Sequence, residues 1–348
     1  MMKEYDVFFD LARETAKTRP LPVLLAFYDL NVSMRPEYPV EKNCSQVLSD
    51  LEKRVGYYIA LIKNGAELYP SCEKTVRLFL DMPKTDVKDQ TGAVYGRQWG
   101  KFDFQKQFEY AKEAVINRIQ RNGFPLSALK DKYVIDIGCG SGRFACALAS
   151  FGPREVVAYD WGDEGLDVGR RMIRELGIKN VTFKKGSVLS LPYDDESFDF
   201  CFANGVFHHT EDMWKGIREQ FRVTKRGGAG WLYIYGDGGF FWNARRRMRE
   251  AMRSIPERYT ESFLNLIDHD KDWFLPMDSW YVPIEMHTSA KDLERFLEKT
   301  GYKRFVRTKY GLPGDRTLEF LEKDKLAPLL FGDGDLRYIL YKQESAYD

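Results

Sequence analysis

A short glycine-rich turn and two acidic residues are the part of this sequence best suited to bind a ligand. The glycines are Gly138, Gly140 and Gly142, in "DIGCGSG", and Asp136 stands two residues before the first of them. Asp160 follows 24 positions after Asp136 and closes the next apolar run, "EVVAYD". A glycine turn between a strand and a helix brings backbone amides close to a ligand, and an acidic residue after the second strand can accept the hydroxyls of a ribose.

Two kinds of ligand compete for this turn. A dinucleotide fingerprint has the spacing GxGxxG, which places a pyrophosphate on the helix N-terminus. Here the spacing is GxGxG, and Arg143 occupies the position of the third fingerprint glycine. Asp136, at the strand tip, would repel a pyrophosphate and attract a cationic or amino-bearing group. The residues therefore favour a nucleoside that carries positive charge over one that carries phosphates.

The turn belongs to a region in which strand and helix patterns alternate. Five strands are predicted in "YVIDIG", "EVVAYD", "VTFKKG", "FDFCFANG" and "WLYIYG". The helix before the fifth strand, "MWKGIREQFRVTKRGG", is predicted to close at Gly227 and Gly228, and two late strands lie in "YKRFVRTKYG" and "DLRYILYKQE". Such alternation indicates parallel strands with helices on both faces and a ligand site beyond the carboxyl ends of the strands.

The predicted fold class is α/β, with a Rossmann-like, doubly wound, mostly parallel seven-stranded sheet. Residues 1 to about 90 read as helices, in "VFFDLARETA", "CSQVLSDLEKRVGYYIALIKNG" and "CEKTVRLFLDM", and they predict a helical N-terminal domain. After Gly236 the alternation stops for about fifty residues, which predicts a helical, lid-like insertion after strand five.

Composition excludes several classes of protein. Lys plus Arg (53) and Asp plus Glu (52) nearly cancel in the 348 residues, so no overall charge attracts nucleic acid or an anionic membrane. The start of the chain lacks a signal-peptide pattern, and the best apolar run, "LPVLLAFYDL", is too short to span a bilayer. The five cysteines show neither CxxC pairing nor metal-ligand spacing, which favours free thiols in a reducing compartment. We therefore expect a cytoplasmic protein.

The glycine turn resembles motif I of the class I S-adenosylmethionine-dependent methyltransferases, hydrophobic-Asp-hydrophobic-GCGSG. The resemblance continues through "GSVLSLPYDDESFDFCFANGVFHHTED", which is similar to the family's "GDAxxLPFxDxSFDxVxxxxVLHH". It covers residues 125–236 clearly and 287–345 by strand order only, and in the core it extends to the ubiquinone and menaquinone methyltransferases. The implied cofactor is S-adenosyl-L-methionine.

The resemblance also implies which residues hold that cofactor. Those implied for its methionine part lie in and beside the glycine turn: Asp136, Gly138, Cys139, Gly140 and Gly142. Asp160 and Trp161 are implied for the ribose and the adenine. Asn204 and Gly205, after the fourth strand, would contact the cofactor with backbone groups.

Ser187 departs from the family pattern. The family usually has Asp at this position, where it binds the adenine amino group, whereas this chain has a serine. With Val188 and Leu189, Ser187 would still hold adenine through backbone groups and a hydroxyl.

The segment "TGAVYGRQWGKFD", before the core, has two interpretations. It resembles the aromatic segment that many small-molecule methyltransferases close over the cofactor, in which case Tyr95, Gln98 and Trp99 would cap the methionine end. An ordinary packed helix start is the alternative. We retain Tyr95 and Trp99 as candidate cofactor-binding residues.

His208 and His209 are the candidate catalytic residues. Methyl transfer from a sulfonium is an in-line displacement that mostly needs an aligned, desolvated nucleophile. A base is needed only where the acceptor is a poorly acidic hydroxyl. The two histidines follow the fourth strand, where the family's acceptor pocket lies, so that either could be that base or could orient a loop. Tyr235 is a candidate substrate-binding residue.

A run of arginines in the insertion, "NARRRMREAMR", has three interpretations. It is a solvated helix face, a pocket for a carboxylate or phosphate of the acceptor, or an RNA contact; Arg245 and Arg246 are retained as candidate substrate-binding residues. His269, in "LIDHDKD", could suggest a metal, but alternating charges in a loop favour surface solvation, and no metal is predicted.

These residues predict methyl transfer to oxygen or nitrogen of a small metabolite. The chain is divided into a helical N-terminal domain (1–92), an aromatic cap segment and helix (93–124), the cofactor-binding core (125–236), a lid and acceptor-binding insertion (237–286) and the C-terminal part of the core (287–348). One alternative is a methyltransferase of RNA or protein, which predicts one exposed arginine stripe over 245–253. The other is aminopropyl transfer or cyclisation. The predicted partner is a small molecule, without nucleic acid or membrane, and the oligomeric state, including a homodimer, is open.

Overall fold

The computed structural model describes residues 2–34, 43–68, 103–267 and 274–343. These residues divide into two compact units. The described residues of Met1–Thr85, Gly238–Val282 and Lys323–Gly332 form a helical unit. Those of Asp86–Asp237, Pro283–Glu322 and Asp333–Asp348 form a sheet unit.

The helices and strands follow in chain order. They are α1 (Met2–Ala16), α2 (Pro20–Ser33), α3 (Cys44–Leu68), α4 (Phe104–Arg118), β1 (Tyr133–Ile137), α5 (Arg143–Ala149), β2 (Glu155–Asp160), α6 (Asp163–Leu176), β3 (Val181–Lys185), β4 (Phe198–Asn204), α7 (Met213–Val223), β5 (Thr224–Tyr235), α8 (Gly239–Met252), α9 (Glu257–Ile267), α10 (Phe274–Tyr281), α11 (Ala290–Thr300), β6 (Arg304–Arg307), α12 (Leu318–Lys323), α13 (Ala327–Phe331) and β7 (Asp335–Tyr341).

The sheet unit contains one seven-stranded sheet in the order β3-β2-β1-β4-β5-β7-β6. Strands β1 to β5 are parallel, and β7 runs antiparallel to both β5 and β6. The predicted fold class, α/β with a mostly parallel seven-stranded sheet, is therefore confirmed. Since β1 lies between β2 and β4, the strand order reverses there, and a ligand is expected beyond the carboxyl ends of these strands.

Both faces of the sheet are buried, because side chains alternate along each strand. Val134, Phe200 and Trp231 lie in the core of one face. Ile135 and Leu232, one position further along β1 and β5, lie in the core of the other. The continuous apolar runs of the sequence thus form central strands that hold the site residues rigidly at their ends.

One predicted boundary is wrong. Helix α7 ends at Val223, and the following residues begin β5, whereas the sequence pattern placed the helix end at Gly227 and Gly228. Phe198 of β4 pairs with Thr224, and the ladder resumes after an irregularity in which Gly227 has φ +72°. Pairing with β4 thus decides the conformation here, and the glycines do not act as the local helix end that the sequence pattern predicted.

The helical unit has an aromatic core. Phe8 and Phe27 are fully buried, and the ring of Tyr5 packs edge-on against Phe240 of α8, with centroids 4.7 Å apart. The Tyr5 hydroxyl also donates to the Leu51 carbonyl oxygen over 2.9 Å. The N-terminal helices and the insertion, separate in the sequence, therefore share one core. The predicted helix "CEKTVRLFLDM" lies outside the described residues, and the role of the insertion as a lid stays a prediction.

The described cysteines are free thiols. Cys44, Cys139, Cys146 and Cys201 are all buried, and Cys72 lies outside the described residues. Across the described ranges, no helix has the length and apolar character needed to cross a bilayer.

Candidate functional site

The glycine turn is built by hydrogen bonds from its own backbone. The amides of Gly138 and Cys139 both donate to the Tyr159 carbonyl oxygen of β2, over 2.7 and 3.1 Å. Gly138 has φ +73°, and a Cβ there would lie 2.3 and 2.5 Å from the γ-carbons of Val206. Only glycine fits this position, because a side chain would clash and the left-handed conformation disfavours one. The turn is thereby fixed against the loop that follows β4.

Asp160, at the end of β2, joins the turn to the start of α6. One carboxylate oxygen accepts the Gly140 amide over 2.9 Å, and the other accepts the Gly162 amide over 2.8 Å. Burial raises the pKa of Asp160 above its ordinary value, and these amides oppose that rise. The Trp161 backbone lowers the pKa of Asp160 in the same way. An ionised carboxylate has about four acceptor positions, so Asp160 can still accept a hydrogen bond from a ligand. The next residue, Trp161, is 38% exposed.

Asp136 is the buried acid of the site. It is 2% exposed, and its Oδ2 finds no hydrogen-bond partner in the part of the chain that the structure describes. Burial raises the pKa of Asp136 to about 8, and the charge of Asp160 contributes to the rise. A buried carboxylate is costly without a cation or donors. The site therefore fits a ligand with an ammonium or sulfonium group, as the resemblance implies.

We expect the affinity for S-adenosylmethionine to rise with pH up to about 8. Below that pH, Asp136 is protonated in the free protein, and a cationic ligand favours its ionised form. Binding must then release a proton, so that the affinity rises by at most about tenfold per pH unit. Calorimetry in two buffers of different ionisation enthalpy measures the released proton. Asp136→Asn should bind more weakly without proton release, and a pH-independent wild-type affinity would contradict the assignment.

The residues predicted to hold adenine follow β3. The Ser187 hydroxyl accepts the Leu189 amide over 3.3 Å, and Val188 is buried. The neighbouring Gly186 amide donates to the Asp160 carbonyl oxygen over 2.9 Å. The three residues thus lie beside the end of β2, and their contact with adenine stays a prediction.

Asn204 and Gly205 end β4. The Asn204 side chain accepts a hydrogen bond from the indole N–H of Trp231 over 3.0 Å. The predicted contact of Asn204 with the cofactor would use backbone groups, and it stays a prediction. The Gly205 amide donates to the Tyr233 carbonyl oxygen over 3.2 Å, and Gly205 has φ +77°.

His208 and His209 form a short 3-10 turn, with Phe207, directly after β4. The ring of His208 is fully buried and stacks on Tyr235, with centroids 3.8 Å apart. His209 meets the same tyrosine edge-on at 5.5 Å. The Nδ1 atom of His209 lies 2.8 Å from the Ile284 carbonyl oxygen. The structure therefore brings together three predicted residues, at the carboxyl ends of β4 and β5.

Two residues of this region were not predicted from the sequence. Glu285 and His287 form a buried pair, with the Glu285 Oε1 atom 3.0 Å from His287 Nε2. The ring of His287 lies 6.0 Å from that of Tyr235. The predicted boundary at residue 286 separated the two. An acidic residue two positions before a histidine is the only signal that the sequence offered, and it stands just ahead of Ser289, which caps α11.

The arginines of the insertion lie in the helical unit and do not form one stripe. Arg245 is 6% exposed, and its guanidinium lies 5.9 Å from the Trp242 ring centroid. Arg246 is exposed. Arg247 pairs with Asp6 and Asp10 of α1 over 3.1 and 3.0 Å, and Arg249 donates to the carbonyl oxygens of Ser279 and Val282. The alternative function, methylation of RNA or protein, predicted one exposed arginine stripe over 245–253, and that prediction is therefore wrong. Acceptor binding by Arg245 and Arg246 stays a prediction.

Several predicted residues lie outside the described residues. These are Tyr95, Gln98 and Trp99 of the cap segment and His269 of the insertion. Over the described ranges, no three His, Cys, Asp or Glu side chains are grouped so as to hold a metal ion.

Comparisons with known proteins identify a domain and relatives of this chain. Residues 135–232 match the family model described as a methyltransferase domain. YcgJ, an uncharacterized methyltransferase of Bacillus subtilis (strain 168), is 37% identical over 95 residues, which are 27% of this chain and 37% of that protein. The demethylmenaquinone methyltransferase of Geobacillus kaustophilus (strain HTA426) is 30% identical over 144 residues, 41% of this chain and 58% of that protein.

The crystal structure of YcgJ aligns with a TM-score of 0.38 at 20% identity, over 58% of this chain and 70% of that one. The chain spans 37% and 58% of the lengths of the two curated relatives, so the likeness is one of the core. That core contains the glycine turn, Asp136 and Asp160. The chain therefore carries a methyltransferase domain of the class I S-adenosylmethionine-dependent family, with S-adenosylmethionine as its cofactor.

Proposed function

We propose that this protein is an enzyme that transfers the methyl group of S-adenosylmethionine to oxygen or nitrogen of a small-molecule acceptor. The observation that carries the proposal is the cluster of His208, His209 and Tyr235. His208 and His209 follow the predicted cofactor contacts Asn204 and Gly205 along the chain, and Tyr235 ends β5 within the same sheet unit. Imidazole and phenol groups beside a cofactor can orient a polar acceptor and take up its proton.

The residues of the chain divide the work. S-adenosylmethionine, when bound, supplies a methyl group on a positively charged sulfur. Asp136 attracts the cationic end of a ligand, because its carboxylate is buried and the Oδ2 atom lacks a hydrogen-bond partner among the described residues. Asp160 accepts ribose hydroxyls while its backbone partners hold it rigid. Burial of the histidine cluster excludes water, so that alignment contributes much of the catalysis.

Two observations support a small acceptor over a polymer. The demethylmenaquinone methyltransferases among the relatives carry a small-molecule acceptor in their names. The arginines of α8 are largely used within the helical unit, by acidic side chains, carbonyl oxygens and an aromatic ring. The chain thus offers no continuous basic surface on this helix, which nucleic-acid binding would need.

The test is to incubate the full chain with methyl-labelled S-adenosylmethionine and a fractionated metabolite extract. We expect label in a small molecule whose mass increases by one methyl group. Asp160→Ala is the inactive control, and Asp163→Ala, an exposed acid nearby, is the matched active control.

Three outcomes would contradict the proposal. Label only in RNA or protein would support the macromolecular alternative. A product that gains an aminopropyl group, or a cyclised product without methyl gain, would support the other use of the cofactor. No labelled product from any fraction would contradict the enzymatic assignment itself.

A further inference from the structure

An unpredicted acid and base pair lies at the end of β5. His287 Nδ1 is 2.8 Å from the Gly236 carbonyl oxygen, and His287 Nε2 is 3.0 Å from Glu285 Oε1. The two side chains are 6% and 2% exposed. Both ring nitrogens of one buried histidine are therefore in hydrogen-bond contact with oxygen atoms.

The protons of this pair can be assigned from geometry. A carbonyl oxygen only accepts, so His287 Nδ1 carries a hydrogen. The contact between Nε2 and Oε1 needs one more proton, on either the imidazole or the carboxyl group. In both cases the pair has no net charge, which suits a buried position. Loss of either partner would leave a polar group buried without its hydrogen bond.

The pair lies within a strap, residues 284–288, that is tied to the histidine turn and to β5. Ile284 contributes its carbonyl oxygen to His209 Nδ1 over 2.8 Å. The Met286 amide donates to the His208 carbonyl oxygen over 2.8 Å, and the Thr288 amide to that of Tyr235 over 3.4 Å. Glu285 and His287 alternate with these three residues and fasten the strap to Gly236.

The strap distinguishes the two candidate histidines. Because the Ile284 oxygen only accepts, His209 Nδ1 carries the hydrogen, and the neutral ring has its lone pair on Nε2. A histidine oriented in this way through one nitrogen presents the other as a base. His208 instead is fully buried with its ring stacked flat on Tyr235. The geometry therefore favours His209 as the proton acceptor.

We infer that Glu285 and His287 are positioning residues that hold His209 in the form with its lone pair on Nε2, and that the acceptor is a hydroxyl compound. This inference rests on the proposed function and names its substrate class. In the reaction, the acceptor oxygen bonds to the methyl carbon, the carbon–sulfur bond breaks with its electron pair going to sulfur, and His209 Nε2 takes the hydroxyl proton. Among oxygen and nitrogen acceptors, a poorly acidic hydroxyl depends most on a fixed base, because it must lose its proton as it attacks, whereas a neutral amine attacks with its own lone pair.

Nuclear magnetic resonance of the full chain tests the positioning directly. The sequence has four histidines, so a sample with 15N-labelled histidine rings gives four sets of ring signals. Single His→Gln variants assign each set of signals to its histidine. In the wild type we expect His209 to be protonated at Nδ1. In Glu285→Ala we expect this preference to be lost. In Glu285→Gln we expect it to be kept, because the amide can donate to neutral His287.

Activity on the hydroxyl acceptor identified from the extract provides the second readout. His209→Gln should lower kcat by about a hundredfold or more, and Glu285→Ala by about tenfold, with unchanged cofactor affinity. Glu285→Gln should recover most of the kcat. Glu298→Ala, which removes an exposed acid from α11, is the matched control. Thermal unfolding measures whether each variant is folded. If Glu285→Ala does not fold, Glu285→Gln serves as the test variant.

Several results would overturn the inference. They are a wild-type His209 protonated at Nε2, a His209 spectrum unchanged in Glu285→Ala, and wild-type turnover by His209→Gln. An acceptor methylated at nitrogen or carbon would overturn the substrate class while leaving methyl transfer in place. No methylated product from any variant, including wild type, would contradict the proposed function, and the inference with it.

Discussion

Replacement of Asp160 by alanine is expected to weaken S-adenosylmethionine binding by roughly a hundredfold. In the proposed function the carboxylate accepts a ribose hydroxyl, and a hydrogen bond to a charged group contributes about 1.5–3 kcal/mol, the upper end of which corresponds to roughly a hundredfold in affinity. The change also removes the acceptor of the Gly140 and Gly162 amides, which hold the glycine turn. Isothermal calorimetry with the cofactor measures the effect.

The matched control is Asp163→Ala, three residues further along. Asp163 is 68% exposed and pairs at the surface with Lys185, so its removal should leave the affinity within about twofold. Thermal unfolding of the ligand-free variants separates loss of the binding contact from loss of the fold. An Asp160→Ala protein that is folded and binds the cofactor with wild-type affinity would contradict the ribose assignment.

Replacement of Asp315 by alanine is expected to destabilise the sheet unit by about 3–5 kcal/mol. Asp315 accepts two hydrogen bonds from Arg118, both over 2.8 Å, and pairs with Arg337 over 2.9 Å. All three side chains are buried, with exposures of 9% or less. Without the carboxylate, the buried Arg118 loses the counter-charge to which it donates both hydrogen bonds, while Arg337 keeps its pairing with Asp335 over 3.1 Å. The Leu312 amide also loses its acceptor.

The measurement is urea unfolding of wild type, Asp315→Ala and Asp315→Asn. The asparagine variant keeps the shape and an acceptor oxygen, so it should lose less stability than the alanine variant. Asp167→Ala removes an exposed acid that pairs with Arg170, and we expect a change below about 1 kcal/mol. An Asp315→Ala protein as stable as this control would show that the network contributes nothing.

The same network predicts a dependence on pH. Burial opposes ionisation of Asp315, but Arg337 and Arg118 outweigh it, and the pKa of Asp315 lies below its ordinary value. A carboxyl group with a lowered pKa in the folded state stabilises the fold above its ordinary pKa, and this stabilisation is lost as the pH falls. The difference in unfolding free energy between wild type and Asp315→Ala should therefore narrow in acid.

The sheet was predictable from the sequence because its signals are local. Each of the strands β1 to β4 lies within a predicted apolar run, whereas the run predicted for β5 covers only its last five residues, 231–235. Gly138 has the left-handed conformation that its turn requires. The predicted ends of β1 and β2 place Asp136 and Asp160 correctly, since the carboxyl ends of parallel strands meet at one edge. The predicted end of α7 was wrong, because the conformation of Gly227 depends on pairing with β4, which lies outside the few residues around Gly227 in the sequence.

The pairs that involve distant residues were not predictable. Glu285 and His287 fall on either side of the predicted boundary at residue 286, and a single histidine has no periodic pattern that would indicate a role. Likewise, Arg118 and Asp315 are 197 positions apart, and nothing near either residue indicates the other.

The sequence by itself determined the alternating strands and helices, the glycine turn and the two acids at the strand ends. These features follow from side-chain periodicity and from the conformational freedom of glycine, which act within a few residues. Only the tertiary structure decided that the Oδ2 atom of Asp136 lacks a described partner. It also decided that the strap contacts the ring of His209 and not that of His208, and that the insertion packs with α1. Burial and hydrogen-bond direction depend on which distant segments meet, and those contacts exist only once the chain has folded.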